Sequence, residues 1–175
     1  MNRREERMGV YGKSLGEVFH LERTPAFVTA TLRHGGIGVT HIQCNVENNG
    51  LTAPIPRQDA FLVNLQLKTC PAHELWVDGK ATPTGWFEKG TAAIYDLRSN
   101  PVVHSVSPFE LLSIFMPRAA IDAFTVQDGA PRIDAFNNNP GLGADDKALS
   151  ALGQALLPAF AQTHGRNQVF VDHLL

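Results

Sequence analysis

The chain has 175 residues and a mass of 19.1 kDa, room for one domain with a sizeable core and little room for two. Hydrophobic residues make up 43% and charged residues 18%, which excludes a collagen-like repeat, a disordered polyelectrolyte and a disulfide-dense miniprotein. A net charge of -2 and a pI near 6.4 give no field that gathers polyphosphate, so any nucleic acid must be held by another segment.

Cys44 and Cys70 are the only cysteines and form no C-x-x-C motif, so both are expected to be buried free thiols. The charged start, Met1 to Arg7, leads into no apolar stretch of ~18 residues, so neither a signal peptide nor a membrane span is read and a cytoplasmic location is expected. Residues 1–25 are read as a lead or arm whose role the sequence leaves open: a disordered lead, a barrel strand or a cover for a pocket.

From Ala26 to Met116 short β-branched, aromatic or alternating runs are separated by turn residues, the pattern of an all-β sandwich or barrel. The expected strands are Ala26 to Leu32, Ile37 to Cys44, Phe61 to Leu67, His73 to Val77, Thr91 to Leu97 and Phe109 to Met116. His34-Gly35-Gly36 and Glu47-Asn48-Asn49-Gly50 break the chain, and Asp78-Gly79-Lys80 predicts a tight hairpin returning through Ala81-Thr82. Between Phe61 and Leu67 alternation puts Phe61, Val63, Leu65 and Leu67 on a packed face and Leu62, Asn64 and Gln66 on a polar one. Both faces of Thr91 to Leu97 are apolar, as in a central or barrel strand.

After Met116 the period lengthens. Pro117 suits a first helical turn, and Ala120, Ile121 and Phe124 recur at helical spacing until Gly129-Ala130-Pro131. Asp145-Asp146 marks a second helix with the stripe Leu149, Leu152, Leu156 and Phe160, which Pro158 should kink or end. A third helix is expected from Val169, and its stop at Leu175 after two turns points to a piece of a longer protein. The region 117–175 is therefore read as a helical subdomain behind a 26–116 barrel.

The phosphate-binding signals fail on inspection. Gly12-Lys13-Ser14 lacks the leading glycine of a P-loop, and Gly141-Leu142-Gly143 is followed by Asp145-Asp146, which would repel a pyrophosphate. No cofactor is expected. Seven histidines in a β-rich chain raise a metal cup built from His34, His41, His73 and His104, but no H-x-H pair sets two imidazoles on one strand face. Trp76 and Trp86 could stack on a ligand, against the commoner role of core packing.

Three stretches carry a resemblance: Asp59 to Leu67, Gly90 to Arg98, and Phe115-Met116-Pro117-Arg118-Ala119-Ala120. In that order and spacing they resemble the N-terminal sensor domain of AraC-type transcription regulators, and Val169 to His173 resembles the start of the helix preceding a pair of helix-turn-helix units. The resemblance covers roughly Arg57 to Leu175. It implies a mainly β, cupin-like jelly-roll barrel that binds a small effector, followed by α-helices that dimerise, with DNA contacted only by a part beyond this chain.

Family pocket side chains come partly from the strand entering the Pro-Arg helix start, here Phe109 to Met116. Glu110 and Leu112 lie on one face of it, and an acid in an apolar strand needs a partner that a ligand could supply. His104 and Arg57 are placed at the barrel mouth, and Trp86 completes the expected ligand-binding set. The resemblance implies a sensor with no catalytic residue and no membrane association, a homodimer in the full-length protein. The rival reading is a stand-alone cupin-like metalloenzyme, an isomerase or oxygenase, using the four histidines.

Overall fold

The computed structural model describes residues 9–29, 36–136, 139–161 and 167–174. In chain order the elements are α1 (Lys13–Val18), β1 (Ala26–Val28), β2 (Gly38–Cys44), β3 (Gly50–Leu51), β4 (Ala60–Gln66), β5 (His73–Val77), β6 (Lys80–Thr82) and β7 (Thr91–Asp96). A 3-10 turn at Leu97–Ser99 leads to β8 (Pro101–Ser105), β9 (Phe109–Pro117), α2 (Arg118–Gln127), β10 (Ala144–Asp145), α3 (Lys147–Ala161) and α4 (Asn167–Leu174). The strands form two antiparallel sheets, ordered β1-β2-β9-β4-β7-β10 and β3-β8-β5-β6. From β2 to β9 the chain crosses repeatedly between the sheets, which face each other as the two walls of a barrel.

The expected strands all appear, and Ala30 to Leu32 of the first lies outside the described residues. Val77 pairs with Lys80 across a loop in which Asp78 (φ 48°) and Gly79 (φ 75°) are both left-handed. That is the geometry whose twist matches the flanking strands, and it explains why Asp-Gly marks this hairpin. Three strands escaped the sequence reading. β3 and β10 are each two residues long, and β8 opens on a proline, tolerated because it is the first residue of the strand. Asp145 belongs to β10 opposite Thr91, and Asp146 alone caps α3, its Oδ1 accepting from the Leu149 amide at 2.9 Å.

Alternation divides the core in two. Ala60, Leu62, Ala93, Tyr95, Phe109, Leu111 and Phe115 point between the sheets, while Val63, Leu65, Ala92, Leu112 and Ile114 point outward and are covered by Leu156 and Ala159 of α3 and Val171 of α4. The larger sheet is therefore buried on both faces, and every residue of β4 is buried. Pro158 does not end α3, which continues to Ala161. The arm joins the barrel core rather than trailing from it: Val10, Leu15, Val18 and Phe19 are all buried there. Of the apolar residues expected on α2, Ala120 is buried and Phe124 is exposed.

Gly153 sets how closely α3 approaches the sheet, because a Cβ there would run into Leu65 Cδ2. Alanine would gain about 1 kcal/mol of helix propensity, but Leu65 is only 1% exposed and cannot swing aside. Overpacking of about 1–3 kcal/mol outweighs that gain. Gly153→Ala should therefore lower stability in urea unfolding, whereas the same substitution made in a Leu65→Ala background should raise it. Equal or higher stability of the single variant would show that α3 is free to lift.

Candidate functional site

A narrow cavity between the two sheets is walled by Phe19, Phe87, Phe109 and Leu111 and carries the polar groups of Asn64, Gln66, Cys70, His73, Tyr95 and Ser105. A neighbouring hollow shares Phe19, Asn64, Tyr95 and Val103 with it and reaches toward Pro101.

Each polar wall comes from the alternation. Asn64 and Gln66 lie on the same face of β4 as Leu62, so the face read from sequence as polar looks into the barrel and not into water. His73 opens β5, with Leu75 next on its inward face. Phe19 follows α1, its ring centroid 5.5 Å from that of Phe109, and is held by the Asn49 side-chain amide, which donates to its carbonyl at 2.8 Å. The arm is thereby one wall of the cavity.

Hydrogen-bond accounting singles out two of these residues. Asn64 is satisfied, since Ser113 Oγ donates to its Oδ1 at 2.7 Å. Gln66 Oε1 and both ring nitrogens of His73 are buried with no partner in the protein. The His73 ring lies flat on Phe87, centroids 4.1 Å apart and planes 16° apart, which fixes its plane while leaving its nitrogens at the free edge. Burial lowers the His73 pKa and so keeps the ring neutral. It raises Tyr95, with Cys70 adding to the effect, and raises Cys70, partly offset by a backbone hydrogen bond with Ala72. Unpaired polar atoms held in an apolar enclosure mark a place where something else supplies the partners.

The residues expected to bind ligand lie elsewhere and do not converge. Glu110 is on the outer face of the larger sheet, its Oε1 2.9 Å from His41 Nε2, at the edge of an open groove of about 1080 Å³ beside α3. Leu112, on that same face, is wholly buried under the helices. His104 Nδ1 lies 2.7 Å from Glu74 Oε2, and Arg57 Nη2 donates to Asp78 Oδ1 at 2.7 Å, both on the surface. Trp86 is 70% exposed and lines neither chamber. The alternation along β9 was read correctly but its inward face is Phe109, Leu111, Ser113 and Phe115. Both faces are buried, so hydrophobicity could not tell them apart.

Nor do the histidines gather. His41 faces α3, where its ring lies 5.7 Å from that of Phe160, while His73 is inside the barrel and His104 pairs on the second sheet. His34 lies outside the described residues. Among the described residues no three His, Cys, Asp or Glu side chains are grouped to hold a metal ion. None of the described helices is long and apolar enough to cross a membrane.

No family model and no curated protein matches the chain. Solved structures do. A cupin superfamily protein from Desulfitobacterium hafniense is 8% identical with a TM-score of 0.36, over 55% of this chain and 79% of that one. A Cupin 2 conserved barrel domain protein from Salinispora arenicola is 13% identical with a TM-score of 0.35, over 59% and 84%. Ectoine synthase from P. lautus is 13% identical with a TM-score of 0.35, over 66% and 82%. The two facing antiparallel sheets and the helices behind them give the class, a mainly β, cupin-like domain followed by C-terminal helices. The expectation that the chain is not an enzyme is corrected at this point, because a synthase is among the similar structures and the fold is compatible with enzymes.

Proposed function

We propose that the chain is the effector-sensing and dimerisation domain of an AraC-type transcription regulator, taking a small molecule between its two sheets. The observation that carries the binding part is the cavity between the sheets, where Gln66 Oε1 and both nitrogens of His73 are buried with no protein partner. The regulator part rests on the sequence resemblance in β4, in β7 and at the start of α2. Occupancy would be communicated through the arm and the sheet that carries α3 and α4, a coupling of two sites through one element. Cytoplasmic location and homodimerisation in the full-length protein belong to the same reading.

Two measurements test it. Reading the frame beyond the codon for Leu175 should find two helix-turn-helix units, the second helix of each basic. A frame without them would remove the regulator reading. Native mass spectrometry of the chain purified from its own cytosol should find a bound small molecule released on denaturation. An empty interior under saturating cell extract would remove the binding reading.

A further inference from the structure

Every charged side chain of the described residues lies outside the inner chamber: its walls are aromatic, aliphatic, amide, hydroxyl, thiol and imidazole groups. An ion entering such an enclosure would lose its hydration and find no counter-charge. The unpaired atoms give a second constraint. Gln66 Oε1 accepts only, while the two nitrogens of a neutral imidazole are one donor and one acceptor. A ligand that satisfies all three must both donate and accept.

We infer that the inner chamber selects an uncharged, flat ligand whose edge carries a hydrogen-bond acceptor beside a donor, as in a carboxamide, lactam or hydroxy-substituted ring, read by His73 and Gln66. The inference rests on the small-molecule reading above and narrows it to one chemical class. Flatness follows from the wall composition. His73 already stacks on Phe87, and Phe19 and Phe109 meet at a tilt of 50° across the same space, so ring faces are what the enclosure offers. Arg57 and Glu110, which alone would have argued for an anionic or a cationic ligand, are both paired outside the chamber. The neutrality of His73, maintained by burial, agrees with this selection.

The test uses four molecules of one shape: benzamide, benzoate, benzamidinium and isopropylbenzene, titrated calorimetrically at pH 7.5. Benzamide offers an acceptor and donors, benzoate only acceptors with a charge, benzamidinium only donors with a charge, and isopropylbenzene neither. Benzamide should bind at least about tenfold more tightly than either ion, since neither ion pairs all three atoms and both lose hydration. His73→Phe keeps the ring on Phe87 and removes the nitrogens, so it should lose the preference for benzamide over isopropylbenzene. Gln66→Met, close in shape, should reduce the same preference in a chain whose β5 is untouched. If benzoate or benzamidinium equals benzamide, the selection for neutral ligands is wrong while the small-molecule reading stands. Isopropylbenzene binding as tightly as benzamide would equally remove the roles of His73 and Gln66. Failure of all four to bind would take down the cavity reading together with the inference.

Discussion

Replacing Arg118 with leucine is expected to cost about 1.5–3 kcal/mol of folding stability, the range for losing hydrogen bonds to charged groups, since Asp96 and Asp59 remain partly solvated. Its side chain is only 3% exposed at the start of α2. Nη2 donates to Asp96 Oδ2 at 2.7 Å, Nη1 donates to the Asp134 carbonyl, and Nε lies 2.9 Å from Asp59 Oδ1 in an ion-pair contact not aligned as a hydrogen bond. The guanidinium also covers the Phe61 ring at 3.9 Å, so three segments and the outer face of β4 meet on this one fork. Lysine could not replace it, because a point charge reaches one partner at a time. Arg118→Lys should therefore lose most of what Arg118→Leu loses, read as the shift of the urea midpoint.

The acid limb gives a second readout. For Asp96, burial alone would raise the pKa, but the hydrogen bonds from Arg98 and the charges of Arg118 and Arg98 together leave it below the ordinary carboxylate value. A carboxylate depressed by folding adds stability that is present above its unfolded pKa and is lost as pH falls through the folded value. Arg118→Leu should accordingly unfold with a shallower acid slope than the parent. Parallel slopes, with a change in midpoint under about 1 kcal/mol, would place Arg118 among ordinary surface ion pairs.

What the sequence revealed and concealed follows from one physical fact: a two-period alternation says which residues share a face, never which face looks inward. On β4 and β9 the partition into faces was legible residue by residue. The polar face of Asn64 and Gln66 was read without its direction, and it points inward because the outer face of the sheet is itself roofed by α3 and α4, leaving the barrel interior as the place for amides. The usable signal was already there, since two amides on an otherwise apolar seven-residue strand imply a polar interior as readily as a wet exterior. His73 was legible as the start of a strand and as one of four histidines of a metal cup, but its place beside Gln66 was not, because the pairing of β5 with β8 that turns it inward was itself unread. The arm was illegible because α1 has six residues, too few to show a helical period, and is held by the barrel core rather than by its own propensity.

His73→Phe is expected to raise stability by about 1–3 kcal/mol in the absence of ligand, because two buried polar atoms that find no partner would be replaced by carbon. The ring keeps its stack on Phe87, and the cavity beside it takes up the added volume, so overpacking does not cancel the gain. For a chain of this size each kcal/mol corresponds to roughly 2–4 °C in Tm. The pH dependence follows from the direction of the shift. Burial puts the folded pKa of His73 below its unfolded value near 6.5, so the unfolded chain binds more protons between the two. The contribution is therefore complete above about pH 6.5 and lost as pH falls through the folded value, and the phenylalanine variant lacks that loss. Its advantage over the parent should widen from pH 7.5 to pH 5, while a His41→Phe control on the outer face leaves the His73 component in place. A parent more stable than the variant at both pH values would mean that the His73 nitrogens are satisfied in the free protein, and the cavity would then have no unmet polar edge for a ligand to complete. A stabilising loss of this kind is the mark of a residue kept for binding at some cost to the fold.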